Sequence, residues 1–248
     1  PGKTIEPGTD CVILLHGLAR TDRSMAKIEA VLSRTGYRVA NIDYPSRTQK
    51  IQTLADLAVS AGIHQCKASG QGQIHFVTHS LGGILVRYYL SQHDLPERGR
   101  VVMLAPPNQG SEVVDGWRRV PGFFWLNGPA GNQLGTDANG IARQLGPVTY
   151  PVGVIAGTRS INLILSLWLP NPDDGKVSVE RTKVEGMTDF ITVPVAHPFI
   201  AGNDHVIEQI MSFLATGKFD RPAQERFKLE EGRHEECIQA AELSDCDS

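Results

Sequence analysis

Short runs of apolar residues alternate along the chain with longer stretches in which apolar residues recur every three or four positions. The short runs predict buried β-strands at residues 11–15, 37–44, 73–79, 100–107, 151–157 and 189–195. The longer stretches predict helices at residues 23–36, 51–66, 81–93 and 203–217. Six strands that alternate with helices predict an α/β fold, in which a mostly parallel six-stranded sheet carries helices on both faces.

Two segments interrupt this alternation, residues 106–150 and 158–172. Both are long for connections inside a compact domain, and both are too rich in aromatic and aliphatic residues to be disordered. We interpret them as lid or pocket excursions from a single domain at residues 1–217. Residues 218–248 hold nine acidic and five basic residues, which predicts a charged, solvated C-terminal tail.

The composition excludes some classes of partner but does not distinguish between folds. The 248 residues are 41% hydrophobic and 21% charged, with a net charge of −3, as in an ordinary globular domain. The chain has no run rich in Lys and Arg, which argues against nucleic acid as a partner. No apolar run is long enough to cross a membrane, and the given chain, which starts at Pro1, shows no signal-peptide pattern. Its compartment is therefore not predicted.

The four cysteines do not form a metal-binding pattern, because none belongs to a CxxC pair. No cluster of His, Asp and Glu has ligand spacing either, so the sequence predicts no metal. Cys11 opens an apolar run and is predicted to be a small buried hydrophobic residue. Cys66 has no assigned role. Cys237 and Cys246 lie close together in the tail, and their pairing in an oxidising compartment stays open.

The segment HFVTHSLGGILV at residues 75–86 places one serine between a strand and a helix. A sharp strand–turn–helix junction of this kind, the nucleophile elbow, lifts a serine hydroxyl above the edge of a sheet. Small residues two positions away keep strand and helix from clashing. Gly82 meets this need, whereas Thr78 stands where the usual motif has glycine. The alternative is that Ser80 only caps the helix.

A serine nucleophile needs a base, and two histidines follow the last predicted strand. His197 lies in the loop after that strand, and Pro198 holds this loop out of helix. His205 lies in the first turn of the final helix. Because open parallel sheets place function at the carboxyl ends of their strands, His197 is the preferred base and His205 the alternative.

The base in turn needs a carboxylate that orients it. In hydrolases with this elbow, the chain order is serine, then acid, then histidine. Asp173 and Asp174 lie between Ser80 and His197 in a predicted loop, and each could instead be a turn-forming residue. The residues alone leave the choice between these two aspartates open.

Acyl transfer also needs donors for the negative oxygen that develops on the substrate. The segment LLHGLAR at residues 14–20 follows the first strand, and its His-Gly turn would expose the N–H of Leu18. The N–H of Leu81, directly after the serine, would be the second donor. The imidazole of His16 is predicted to hydrogen-bond its own loop rather than take part in chemistry.

Four segments together resemble bacterial α/β-hydrolases of the lipase/esterase type: VILLHGLAR, FVTHSLGGILVR, LAPPNQGSEV and DDGKVSVERTKVEGMTDFITVPVAHPFI. The resemblance covers residues 11 to about 216. It implies a near-minimal six-stranded α/β-hydrolase fold and hydrolysis of carboxylic esters, often of lipids, without a cofactor or a metal. The tail has no counterpart in this resemblance.

The resemblance also implies roles for individual residues. Ser80 is the implied nucleophile, His197 the base and Asp174 the orienting acid, with the backbone of Leu18 and Leu81 as the oxyanion hole. A thioesterase, an amidase or an acyltransferase of the same fold is the alternative, because these three residues do not specify the leaving group. A non-catalytic lipid-binding module is a further alternative, argued against by the presence of all three residues.

The two excursions would lie near the mouth of this site and favour a substrate with a hydrophobic acyl chain. The predicted substrate is a small-molecule or lipid ester, and exposed apolar residues there would contact a lipid surface transiently. The alternative is that both excursions pack as ordinary core. The predicted substrate-binding residues are Trp117, Phe123, Phe124, Trp125 and Trp168.

Overall fold

The computed structural model describes residues 9–117, 123–137, 140–160 and 173–221, with only the backbone described at positions 117 and 123–126. Six strands form one sheet in the order β2-β1-β3-β4-β5-β6, and every neighbouring pair is parallel. This confirms the predicted fold class. The strands are β1 Cys11–Leu15, β2 Arg38–Ile42, β3 Ile74–His79, β4 Arg98–Leu104, β5 Val152–Gly157 and β6 Asp189–Val193.

Helices cover both faces of the sheet. The helices are α1 Ala26–Arg34, α2 Ile51–Ala68, α3 Leu81–Gln92, α4 Glu112–Trp117, α5 Phe123–Asn132, α6 Ile141–Gln144, α7 Val179–Thr182 and α8 Asp204–Thr216, with 3-10 turns at Asp22–Met25 and His197–Gly202. Helices α2 and α3 contribute to the apolar core on one face, and α1 and α8 contribute to the core on the other. A strand buried on both faces is apolar at every position, which explains the continuous apolar sequence of β1.

The order of the strands fixes where a site can form. The chain leaves β1 toward β2 on one side, and then returns to place β3 on the opposite side of β1. The connections at the carboxyl ends of β1 and β3 therefore diverge to opposite sides and leave a crevice between them, where ligands bind in open α/β sheets. Gly17 follows β1 and Ser80 follows β3, so both lie at this crevice.

The first excursion contains more regular structure than its sequence pattern predicts. Residues 106–150 include α4, α5 and α6, of which α5 is broken at Gly128 with φ 69° and continues through Pro129. Short helices interrupted by glycine and proline leave no clear helical period, which is why the sequence predicts a loop here. Of the second excursion, residues 161–172 lie outside the described residues.

Cys11 and Cys66 form a disulfide, with their Cα atoms 5.7 Å apart. The bond joins the first residue of β1 to the last part of α2, across 55 positions of sequence. The prediction that Cys11 is only a buried hydrophobic residue is therefore wrong, although both cysteines are buried. The possible pair in the tail, Cys237 and Cys246, lies outside the described residues.

The packed body continues beyond Gly217, where α8 ends. Phe219 is buried against Phe213 of α8, and Arg221 forms an ion pair with Asp189 of β6. Phe219 and Arg221, which the sequence analysis assigns to the tail, thus contact the packed body. None of the helices within the described ranges is both long and apolar enough to cross a membrane.

Candidate active site

Ser80 joins β3 to α3 through a strained backbone. Its φ of 52° and ψ of −117° lie in a region that residues with side chains rarely adopt, at a cost of about 1–3 kcal/mol. The Ser80 N–H donates to the carbonyl of Leu104 in β4 at 2.9 Å. The neighbouring strand thus holds the strained serine in place at the carboxyl end of β3.

Two glycines let α3 pack close to the sheet directly after this turn. A β-carbon at Gly82 would lie 2.6 Å from the carbonyl oxygen of Leu15, so a side chain there would push α3 away from β1. A β-carbon at Gly83 would lie 3.3 Å from Oγ1 of Thr78. The second glycine therefore leaves room for Thr78, which explains how the elbow tolerates a residue larger than the usual glycine.

The structure brings His197 and Asp174 together as a buried pair. The imidazole Nδ1 lies 2.7 Å from Asp174 Oδ2, and the His197 N–H donates to the Asp174 carbonyl at 3.0 Å. The other carboxylate oxygen, Oδ1, accepts the N–H groups of Lys176 and Val177 at 3.0 and 2.9 Å. Backbone donors therefore fix one oxygen of Asp174, and the other is directed at the histidine.

The two alternatives left open by the sequence occupy different positions. Asp173 Oδ1 accepts the N–H of Gly175 at 2.7 Å and so stabilises the turn. The imidazole of His205 is 60% exposed and lies 3.5 Å from Glu208 on its own helix.

The hydrogen bond to Asp174 determines which nitrogen of His197 can act as a base. An Nδ1–H that donates to the carboxylate leaves the lone pair on Nε2. Within the part of the chain that the structure describes, no group forms a hydrogen bond with this Nε2. The nitrogen is thus available to a group that enters the crevice.

His79, directly before the serine, packs against His197 with 4.9 Å between the ring centroids. Burial, followed by repulsion from His197, Lys176 and Arg20, lowers the pKa of His79 well below its ordinary value, so the ring is neutral. Neither ring nitrogen forms a hydrogen bond among the described residues, although the His197 backbone is close enough to favour the protonated ring slightly. The sequence analysis identifies His79 only as part of the elbow and does not predict that it packs against His197.

The loop after β1 lies directly against the nucleophile. A β-carbon at Gly17 would stand 3.3 Å from Ser80 Cβ and 3.0 Å from His79 Nδ1, so a side chain at this position would crowd both residues. Ala19 has a φ of 56°, and its N–H donates to Ser46 Oγ at 3.0 Å. No acceptor among the described residues takes the N–H of Leu18.

Leu81 and His16 lie at the same edge of the sheet as Ser80 and Gly17. Leu81 is the first residue of α3, where the backbone N–H groups have no partner within the helix. The His16 ring is buried, stacks on Tyr44 at 4.0 Å, and places Nδ1 2.9 Å from the Gly17 carbonyl. Burial lowers the pKa of His16. Its contacts are with its own loop and the next one.

The predicted substrate-binding side chains lie outside the part of the chain that the structure describes. Trp168 lies outside the described residues, as do the side chains of Trp117, Phe123, Phe124 and Trp125. One apolar residue that the sequence analysis did not single out lies near the site. Phe199, two residues after His197, is 59% exposed. No group of three or more His, Cys, Asp or Glu side chains in the described ranges could hold a metal ion.

Comparison with known proteins identifies relatives of this arrangement. The sequence model of the alpha/beta hydrolase family matches residues 12–240. The mature lipase BlEst2 of Bacillus licheniformis is similar in structure, with a TM-score of 0.69 and 18% identity, over 87% of this chain and 96% of the lipase. An esterase of Pyrococcus furiosus has a TM-score of 0.58 and 17% identity, over 84% of this chain and 82% of the esterase.

A malate-bound thermophilic esterase of Thermogutta terrifontis has a TM-score of 0.56 and 14% identity, over 85% of this chain and 92% of that one. At such identities these structures share the fold with this chain. No curated protein sequence matches the chain significantly.

Proposed function

The chain belongs to the alpha/beta hydrolase family, and on that premise we propose that it hydrolyses carboxylic esters through an acyl-enzyme on Ser80. One observation carries this proposal: the buried 2.7 Å pair of His197 and Asp174 lies at the same edge of the sheet as the strained Ser80. A carboxylate that orients a histidine whose Nε2 is available, beside a serine on an elbow, is the constellation of serine hydrolases.

In the acylation step, His197 Nε2 takes the proton of the Ser80 hydroxyl while Oγ attacks the carbonyl carbon of the ester. The carbonyl oxygen becomes an oxyanion, and the adjacent carboxylate of Asp174 stabilises the imidazolium that forms. The tetrahedral intermediate then collapses and the bond to the alcohol oxygen breaks. The alcohol leaves with the proton from His197, and the acyl group remains on Ser80.

In the deacylation step, water replaces the alcohol. His197 Nε2 takes a proton from the water as its oxygen attacks the acyl carbon, and a second tetrahedral intermediate forms. Collapse of this intermediate releases the carboxylic acid, and the proton on His197 returns to Ser80. One ester and one water thus yield one acid and one alcohol.

The oxyanion requires donors that are in place before the reaction. We assign this role to the backbone N–H groups of Leu18 and Leu81. The position of Gly17 against Ser80 supports the first assignment, because it brings the loop after β1 to the nucleophile. The position of Leu81 at the start of α3 supports the second.

The experiment that tests this function is hydrolysis of nitrophenyl esters with acyl chains from acetyl to palmitoyl. We expect hydrolysis by the wild-type protein and its loss in Ser80→Ala, with Ser33→Ala on the exposed face of α1 as the matched control. A preference for long chains that increases at a lipid interface would favour the predicted aromatic acyl site. Activity on thioesters or amides alone would contradict the assignment to carboxylic esters.

A further inference from the structure

Positively charged side chains lie beside the nucleophile, and an aromatic acyl site alone does not explain them. An open groove of about 470 Å³ lies at the carboxyl ends of β1 and β2, lined by residues 19–21 and 43–48. Two of the lining residues, Arg20 and Arg47, are cationic, and the acidic residue among them is Asp43. Asp43 lies 3.3 Å from His16 Nε2.

Arg20 connects this groove to the catalytic crevice. Its N–H donates to the carbonyl of Gly17 at 3.2 Å, so the backbone of Arg20 folds back onto the residue that lies against Ser80. Its guanidinium is near enough to His79 and to Lys176 to repel a proton on either side chain. Arg20 therefore lines the groove and also influences charge at the catalytic crevice.

Lys176 belongs to the loop that holds Asp174. Its backbone N–H donates to Asp174 Oδ1 at 3.0 Å, and its carbonyl accepts the hydroxyl of Ser111 at 3.0 Å. Lys176 is exposed, and desolvation by the surrounding atoms, followed by repulsion from Arg20, lowers its pKa, while attraction to Asp174 opposes the shift. Two cations from two loops thus flank one reaction centre.

These cations have no acidic partners in the part of the chain that the structure describes. Neither Arg20 nor Lys176 forms an ion pair there, and Arg47 does not form one either. Asp174, the nearest acid to Lys176, is already directed at His197. Holding like charges together without a counter-ion is unfavourable, and such positive clefts attract and orient anions.

We infer that the substrate is an ester that also carries an anionic group, either a carboxylate or a phosphate, and that Arg20 is the main residue that binds this group. This inference rests on the proposed function. Lys176, in the loop that holds Asp174, and Arg47, which lines the groove, add to the positive potential. Arginine suits this role because its planar guanidinium donates two parallel hydrogen bonds to a carboxylate or a phosphate.

Two matched pairs of esters test the inference. In the first pair, nitrophenyl hemiglutarate ends in a carboxylate where nitrophenyl pentanoate ends in a methyl group. In the second, 1-butanoylglycerol 3-phosphate is compared with 1-butanoylglycerol. We expect kcat/KM to be about tenfold higher for the charged member of at least one pair, and the pair that shows it identifies the group. This preference should weaken as salt concentration rises.

Variants then assign the preference to Arg20. Arg20→Gln should lower kcat/KM about tenfold for the anionic ester and less than about threefold for its neutral partner. Arg20→Lys should retain part of the preference, since it keeps the charge but not the paired donors. Arg34→Gln is the matched control, because this exposed arginine ends α1 at the opposite edge of the sheet.

The outcomes separate this inference from the function on which it rests. Hydrolysis that depends on Ser80 but shows equal kcat/KM for both members of both pairs would overturn the inference and leave the function standing. An equal loss for charged and neutral esters in Arg20→Gln would overturn it as well. Failure of all four esters, while other nitrophenyl esters are hydrolysed in a Ser80-dependent way, would overturn the inference alone, and failure of every ester would overturn both proposals.

Discussion

The described residues include two buried histidine–aspartate pairs, and only one of them leaves an imidazole nitrogen available. His197 and Asp174 meet at the carboxyl edge of the sheet, 2.7 Å apart. His75 and Asp10 meet near the amino edge, where His75 Nε2 lies 3.4 Å from Asp10 Oδ2. All four residues are buried, so burial and pairing alone do not distinguish a catalytic histidine from a structural one.

The difference lies in the second nitrogen of each imidazole. His75 Nδ1 accepts the N–H of Arg100 at 2.8 Å, and a β-carbon at Gly99 would stand 2.4 Å from the same atom. Asp10 uses its other oxygen to accept the N–H of Gln73 at 2.8 Å. Both nitrogens of His75 are therefore occupied and its surroundings are filled, whereas no described residue bonds Nε2 of His197.

This contrast extends to the two edges of the sheet as a whole. The amino edge carries groups that bind to one another: the His75 pair and the Cys11–Cys66 disulfide. The carboxyl edge carries the strained backbone of Ser80 and two cations without acidic partners among the described residues. We expect substitutions at the amino edge to change stability, and substitutions at the carboxyl edge to change the rate of hydrolysis.

The strongest test of the contrast exchanges each histidine for glutamine. His197→Gln should lower kcat by about 10⁵-fold, because it removes the base while the fold is retained. His75→Gln should leave kcat within about threefold of the wild type and lower the melting temperature instead. Steady-state kinetics on one nitrophenyl ester and a thermal melt of each variant provide both measurements. A large loss of kcat in His75→Gln, without unfolding, would show that the two pairs are coupled.

The next largest effect concerns the two adjacent aspartates. Asp174→Asn should lower kcat by about 10⁴-fold, because an amide no longer stabilises the imidazolium and favours the wrong tautomer of His197. Asp173→Asn keeps an oxygen that can accept the N–H of Gly175, so its kcat should change by less than about tenfold. Equal losses in the two variants would show that the turn, rather than the carboxylate of Asp174, supports catalysis.

The two edges also differ in how well the sequence predicts them. The strands were predictable because a strand covered on both faces is apolar at nearly every position, as in β1 and β3. The meeting of Ser80, Asp174 and His197 was predictable for a related reason. Each residue follows a strand along the chain, and parallel strands end at the same edge of the sheet. Local sequence and topology together were enough to place these residues near one another.

Contacts between distant segments were not predictable in this way. Nothing in the sequence around Cys11 indicates that it pairs with Cys66, because the bond depends on how α2 packs across the sheet. The residues alone did not decide between Asp173 and Asp174, because the choice depends on which carboxylate the turn directs at His197, and only the resemblance to α/β-hydrolases favoured Asp174. The packing of His79 on His197 depends on the same tertiary approach.

The disulfide provides a third test, at the amino edge. Replacing Cys11 and Cys66 by alanine removes a link across 55 positions, which should lower the free energy of unfolding by about 4 kcal/mol if the cost is mainly loop entropy. For a protein of this size, the melting temperature should fall by roughly 8–16 °C. The value of kcat at 25 °C should not change. A variant that melts normally but has lost activity would contradict the division between the two edges.

The smallest effect is the contribution of His75 to the pH dependence of stability. Burial lowers the pKa of His75 below its ordinary value, and hydrogen bonding to Asp10 offsets part of the shift. As the pH falls below about 6.5, the unfolded chain therefore binds a proton that the folded chain does not, and stability decreases. Between pH 7.5 and 5.5, this one histidine costs at most about 1.4 kcal/mol.

Because burial also lowers the pKa of His16 and His79, the wild-type protein should lose stability over this range by more than His75 alone accounts for. His75→Gln should be less stable at pH 7.5 but should lose less on acidification, which denaturation by urea at the two pH values would measure. An equal loss in the two proteins would mean that the pKa of His75 is the same in the folded and unfolded chains, and a greater loss in His75→Gln than in the wild type would mean that His75 is protonated in the folded protein. Asp10 and His75 would then form a true ion pair, and the amino edge would be held by charge rather than by a neutral hydrogen bond.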